Sequence, residues 1–365
     1  MSTAMETAAT MPEHGDDDLL TMLRDSAQDF CTRALDRGRL RALRGATPPF
    51  DRACWNEMAE LGWLGVMLPE DHNGLGVGTR GAATLARALG AVAAPEPLIE
   101  TAVAAAIVLD RSAAGQPLSD ALINGERIMI AALGALGEDP FAALDAAADG
   151  AGTNLTGTLN AVPLGADADA LLVPANVDGV PVWCLLDTAA TGVAITPRPL
   201  ADGSRDARLV LTQAPATLLA RGDAARDVHA AARVSAELAA SAYQLGLADT
   251  LLAMTLDYVA TRRQFGQAIG SFQVLQHRLV DAYLALRLAD AVVTDCCATI
   301  DAGATGDAAL RAASRAGERS GAGLALIARE AIQIHGAIGY TDECDVGIFV
   351  NRGLVVAARY GRADA

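Results

Sequence analysis

The chain of 365 residues has no lysine; its 28 Lys+Arg side chains are all arginine. This excludes chemistry that runs through a lysine amine, Schiff-base and pyridoxal-phosphate catalysis above all. It also excludes an ordinary P-loop nucleotidase, whose lysine reaches the phosphates. Any anion held here must be held by arginine forks and backbone N–H groups. Aromatics are scarce, at 4%, and alanine is abundant, which favours closely packed helices. No apolar run reaches the roughly 18–20 residues that span a bilayer. The stretch from Met1 to Asp18 lacks the basic start and apolar core of a secretory signal. There is no C-x-x-C among the six cysteines and no ligand spacing among the five histidines. Neither a disulfide framework nor a metal site is therefore expected. A G-x-S-x-G nucleophile turn is missing as well.

What the chain does have is acid. Its formal charge is −16, which argues against nucleic acid and anionic membranes as partners. A cytoplasmic location is expected. With 52% hydrophobic residues it can bury a large core, and its texture changes twice. Residues 1–16 read as a tail. Residues 17–125 read as a helical domain, broken at Pro95–Glu96–Pro97, with helices expected over Gly81–Val92 and Leu98–Leu109. Residues 126–224 alternate short apolar runs (Arg127–Leu133, Ala170–Val173, Pro181–Leu186, Gly192–Ile195, Ala207–Leu211) with Gly, Asp and Pro turns, the pattern of a barrel or sandwich. Residues 225–365 read as four long helices joined by short loops, an antiparallel bundle. A stripe from Val234 through Leu238, Leu245, Ala248, Leu252 and Leu256 to Val259 marks one face of its first helix. The fold class is thus α+β: helical domain, β-barrel-like domain, four-helix bundle.

Two segments stand out. Thr261–Gln273 has the form T-R-x-x-F-G-x-x-I-G-x-F-Q. A basic last turn with a glycine stop would account for its first half, but not for the whole composite. Gln333–Ile334–His335–Gly336–Ala337–Ile338–Gly339 ends the third bundle helix. Its glycines let a ligand approach the backbone, and successive N–H groups there suit a phosphate. A third constellation, Trp55, Leu61–Gly62–Trp63, Pro69–Glu70 and Asn73–Gly74–Leu75–Gly76, reads by itself as a turn.

In this order and at these separations, the three segments resemble the flavin-dependent acyl-CoA dehydrogenases, from about Asp17 to Gly361. The resemblance implies α,β-desaturation of an acyl-CoA thioester, as in β-oxidation of fatty acids, with FAD as cofactor. An electron-transfer flavoprotein would be the acceptor. It assigns Arg262 to the FAD pyrophosphate, Phe265 and Gln273 to the dinucleotide, and Gln333, Gly336 and Ala337 to the flavin of a neighbouring subunit. A homodimer or homotetramer follows, or a heteromer with a paralogue.

The sequence departs from that pattern in two places. The usual catalytic glutamate, just before a glycine after the fourth bundle helix, falls on Tyr360, ahead of Gly361, and no Asp or Glu occurs between Val346 and Ala363. The alternative position on the first bundle helix falls on Ala236. Its neighbour Glu237, set among alanines and Leu238, is the best candidate base, against the reading of an ordinary exposed helix glutamate. In the β domain, Leu133–Pro140 stands where a Thr–Glu–Pro loop meets the flavin ring. A non-catalytic or half-site subunit is the alternative function. A nicotinamide reading of Gly76–Val77–Gly78–Thr79–Arg80–Gly81 lacks its context, because Pro69–Gly74 separates it from Trp63–Leu68, the one candidate strand before it.

Overall fold

The computed structural model describes residues 14–34, 36–112, 114–135, 137–149, 152–341 and 343–360. Most of the expected tail and Gly361 lie outside these residues, and α1 (His14–Ala34) already begins inside the tail's bounds. The N-terminal domain continues with α2 (Arg37–Leu43), α3 (Arg52–Glu60) and α4 (Gly78–Ala91). A π-helical stretch, Ile99–Ala105, then runs into α5 (Ala106–Asp110), and α6 (Gln116–Ile123) closes the domain. Asp36 and Asp51 start α2 and α3 by accepting the otherwise orphaned N–H groups of Arg39 and Ala53 at 2.9 and 2.8 Å.

Trp63–Leu68, the one candidate strand before Gly76, is not a strand. Trp63–Gly65 is a 3₁₀ turn, and the chain beyond doubles back, so that Leu75 and Gly76 donate to the carbonyls of Gly65 and Leu68. A Cβ on Gly74 would meet the Leu68 carbonyl oxygen at 2.0 Å, so this reversal requires glycine. The run is apolar because Trp63, Leu64, Val66 and Leu68 are buried, with Trp63 edge-on to Phe30 at 5.1 Å.

The middle of the chain supplies β1 (Met129–Ala131), β2 (Leu144–Asp149), β3 (Gly152–Pro163), β4 (Ala170–Val177), β5 (Val180–Asp187), β6 (Val193–Pro199) and β7 (Arg205–Arg221). The pairings β4–β2–β3–β7–β5 return to β4, so five strands close a ring. β1 is attached through β4, and β6 forms an outer edge through β7. This is the barrel-like domain expected. β2 and β3 were not among the expected strands, since their few large apolar residues, Leu144, Leu155 and Leu159, alternate weakly with Ala, Thr, Asn and Gly. The short run at Ala207–Leu211 proves to be the middle of a 17-residue strand.

The bundle consists of α7 (Asp223–Thr261), α8 (Gln273–Asp301), α9 (Gly306–His335) and α10 (Val346–Tyr360). The α7 stripe is buried except at Leu256, which is 46% exposed. That residue lies about 40° past Leu252 round the helix, beyond the covered face. No helix among the described residues is long and apolar enough to cross a membrane.

α4 and α7 meet backbone to backbone. A Cβ on Gly90 would lie 2.1 Å from the Tyr243 carbonyl oxygen, and one on Gly246 would lie 2.1 Å from that of Arg87. A second tie joins all three domains. Arg352 on α10 pairs with Asp202 of the β domain at 2.9 Å and donates to the Tyr243 hydroxyl at 3.0 Å, while that hydroxyl donates to the Ala94 carbonyl at 2.8 Å.

The barrel also meets the bundle through an aromatic stack. Trp183 on β5 donates its indole N–H to the Ala225 carbonyl at 3.1 Å, and His229 on α7 stacks on that indole with its edge towards Phe141. Burial first, and then the Arg233 charge, push the His229 imidazole down to about 4. The native state thus keeps His229 neutral where an unfolded chain protonates it below about 6.5. Stability should fall as pH drops from about 6.5 towards 4, by at most roughly 3 kcal/mol. Urea unfolding of wild type and His229→Phe over this window checks the sign, since the variant should lose that share of the slope.

Candidate flavin site

α7 ends because Arg262 turns extended, its N–H still bonded to the Tyr258 carbonyl at 2.8 Å. The chain then forms a small hairpin of β8 (Arg263–Gln264) and β9 (Gln267–Ala268), closed by a bond from Ile269 N–H to the Arg262 carbonyl at 2.8 Å. Its two central residues, Phe265 and Gly266, have φ of 52° and 83°, as a tight two-residue hairpin demands. A phenylalanine in the left-handed region is strained, and Phe265 is also 90% exposed, with its ring edge-to-face against Phe272 at 6.1 Å. Gln273 opens α8 and is exposed too.

The second motif arrives beside the first through one contact. Tyr258, in the last turn of α7, stacks on His335, the last residue of α9, at 4.2 Å. Gln333, Gly336 and Ala337 are exposed, and a Cβ on Gly336 would meet open space. The structure therefore gathers all six residues singled out for the cofactor (Arg262, Phe265, Gln273, Gln333, Gly336, Ala337) at one end of the bundle. Arg262 has no ion-pair partner among the described residues.

The candidate base lies elsewhere on α7. Glu237 is 11% exposed in its side chain, not the exposed helix glutamate of the bland reading, and its Oε1 pairs with Arg233 Nε at 2.7 Å. Arg233 also donates to the Gly134 carbonyl at 2.9 Å. This anchors α7 to the loop that stands where a flavin-ring loop was expected. Tyr360 is the residue on which the resemblance placed the usual glutamate. It is buried and donates to Glu100 Oε1 at 3.1 Å, an oxygen that also accepts from Arg359 at 2.6 Å. Burial first, then the Glu100 charge, raise the Tyr360 phenol well above its ordinary range, so it stays a donor. Glu100 sits in the π-helical stretch, every residue of which is buried. The sequence reading missed it. The available signal was that it is the one charged residue between Leu98 and Leu109, and buried charges are rare without a partner.

Residues 17–114 match the model of the acyl-CoA dehydrogenase N-terminal domain, and residues 233–360 that of the C-terminal domain. The chain belongs to the acyl-CoA dehydrogenase family. Acyl-CoA dehydrogenase FadE27 of Mycobacterium tuberculosis is 35% identical over 64% of this chain, which spans 63% of that relative's length. Among solved structures, a variant of the Tcur3481-Tcur3483 steroid ACAD aligns with a TM-score of 0.86 at 29% identity, covering 95% of this chain and 94% of its own. The ChsE4-ChsE5 complex from Mycobacterium tuberculosis aligns at 0.80 and 27%, covering 97% and 93%.

The chain is thus an oxidoreductase-family protein whose cofactor is FAD, and the clasp fits the dinucleotide end of that group. A diphosphate needs charge-assisted donors, which the unpaired Arg262 provides. The open backbone at Gly336 admits an anion, and the uncovered Phe265 ring suits a flat base. The fit is one-sided. Every residue of the clasp is exposed. The loop after Leu133, where the resemblance placed a Thr–Glu–Pro loop, carries Gly134, Ala135 and Gly137.

Proposed function

We propose that this chain serves the α,β-desaturation of an acyl-CoA thioester, in a β-oxidation-type step, and that it grips FAD across a subunit boundary. The observation that carries this reading is the Tyr258–His335 stack, which sets the Arg262 hairpin against the solvent-open Gln333–Ala337 segment. FAD, when bound, supplies the acceptor for the hydrogen that leaves the β-carbon. The protein must remove the α-proton with a carboxylate in a water-poor place and offer donors to the thioester oxygen. We assign the first task to Glu237. Arg233 fixes its Oε1, while Oε2, without a hydrogen-bond partner among the described residues, is left to take the proton. An electron-transfer flavoprotein is the acceptor that fits the family. The steroid ACAD among the structural neighbours makes a ring-bearing acyl-CoA the first thioester to try.

A second reading starts from one observation. Tyr360 is held with Arg359 on Glu100, and the Arg233 charge that pairs with Glu237 also reaches the Tyr360 phenol. In that reading the chain completes the flavin site of a paralogous subunit. One experiment separates the two. The full chain is expressed alone and beside a paralogue that carries the C-terminal glutamate, and flavin absorbance is followed anaerobically on adding acyl-CoA. If Glu237 is the base, the chain alone is yellow, and Glu237→Gln slows bleaching at least a hundredfold with flavin retained. A colourless lone chain, with bleaching in the co-expressed pair indifferent to Glu237→Gln, removes that assignment and leaves the shared site. Absence of flavin from both preparations sinks both readings.

A further inference from the structure

A cavity of about 760 Å³ lies between α1, α4, α7 and α8, within the ~300–1,000 Å³ typical of sites that enclose a small molecule. It is separate from the flavin clasp. Its α7 wall ends at Asp249, and Arg262 lies 262 − 249 = 13 residues further on, about 20 Å along the helix. It is also not the ground beside Glu237, because Leu245 and Asp249 sit roughly 80–120° round α7 from that residue.

Its dimensions follow from the sequence. Ala83, Ala88 and Ala91 on α4 and Ala242 on α7 face the space, and their methyl groups cannot fill it. The α4 wall runs from Arg80 to Val92, about 18 Å at 1.5 Å per residue. Leu20, Leu245 and Val293 make the remaining walls largely apolar. The charges in those walls are mostly spent on each other. Arg87 reaches Asp249 at 2.8 Å and Asp290 at 2.5 Å, and Arg80 lies 3.6 Å from Asp301. Arg24, exposed on α1, is the lining cation without a partner among the described residues.

A long apolar cavity with one unneutralised guanidinium at its rim selects an apolar body that ends in a single acid. A diphosphate or CoA asks for more positive charge than this lining leaves free. We propose that this cavity binds an extended apolar monocarboxylate, either a linear acyl chain or a fused-ring skeleton, at a site independent of the flavin.

The test uses the full chain and two fluorescent acids, cis-parinarate for the linear class and pyrenebutyrate for the fused-ring class. Saturable one-to-one binding of either, displaced by palmitate or by a non-fluorescent ring carboxylate respectively, is expected, and the tighter probe names the source. Ala88→Phe, which fills the space from a half-exposed position, should weaken binding at least tenfold with circular dichroism unchanged. Arg24→Gln, at an exposed site that does not threaten folding, should weaken the acid about tenfold, or 1.4 kcal/mol, and leave parinaryl alcohol unaffected. No saturable signal from either probe overturns the proposal, as does full affinity in a folded Ala88→Phe. Equal loss of acid and alcohol in Arg24→Gln overturns the assignment of the acidic end.

Discussion

Arg262→Ala should strip the assembled protein of FAD. The side chain is exposed, has no partner among the described residues and stands at the mouth of the clasp. Removing a charge-assisted contact to a phosphate costs about 2–5 kcal/mol once the surroundings are enclosed, so FAD affinity should drop roughly 30- to 4,000-fold. Arg262→Lys should fall between the two, because it keeps a charge and loses the planar fork. The same substitution should leave the thermal stability of the flavin-free chain within about 0.5 kcal/mol of wild type, since it breaks no internal bond. Titration of apoprotein with FAD by calorimetry, paired with melting of the flavin-free form, reads both halves. Unchanged FAD affinity would remove Arg262 from the site, and a large stability loss would make it a structural residue instead.

Asp202→Ala should be among the most damaging single changes to the fold. Asp202 and its partner Arg352 are both largely buried, and the guanidinium also holds the Tyr243 hydroxyl. Burial alone would raise the Asp202 carboxyl, but Arg352 and Ser204 more than offset it and hold it below its ordinary range. Deleting the carboxylate leaves a cation inside the protein without its counter-charge, which typically costs about 3–5 kcal/mol. Asp202→Ala/Arg352→Leu should recover part of the loss, because neither charge is then stranded. The pair's contribution is present at neutral pH and is lost as pH falls through the native Asp202 titration, which lies lower than in an unfolded chain. Urea unfolding of the two single variants and the double variant measures this. A double variant no better than Asp202→Ala would show that Arg352 works mainly through Tyr243 and Ala94.

The two segments proposed for the clasp stood out because each is a short local motif in the chain. A two-residue turn at Phe265–Gly266, an arginine at a helix end and a glycine-bearing helix stop each leave a local mark. What joins them does not, since the Tyr258–His335 stack pairs residues on different helices whose spacing says nothing of their approach. The three-domain order could be read from periodicity. β2 and β3 could not, because strands held mainly by their ladder need few large apolar residues. Trp63–Leu68 could be no more than a candidate strand, because an apolar run shows burial and not backbone shape. Glu237 drew attention through its apolar neighbours in sequence, but the Tyr360–Glu100–Arg359 cluster arises from residues far apart in the chain that only packing brings together.

The outer edge of the barrel limits how copies of this chain can associate. β6 carries Pro197 and Pro199 on either side of Arg198. Two missing N–H donors and a charged side chain make poor partners for an incoming extended segment. A neighbouring molecule cannot readily lengthen this sheet along β6, which favours assembly through helix surfaces on that side. The orientation of two protomers is then set by side-chain interdigitation, and not by a hydrogen-bonded ladder that could slip in register.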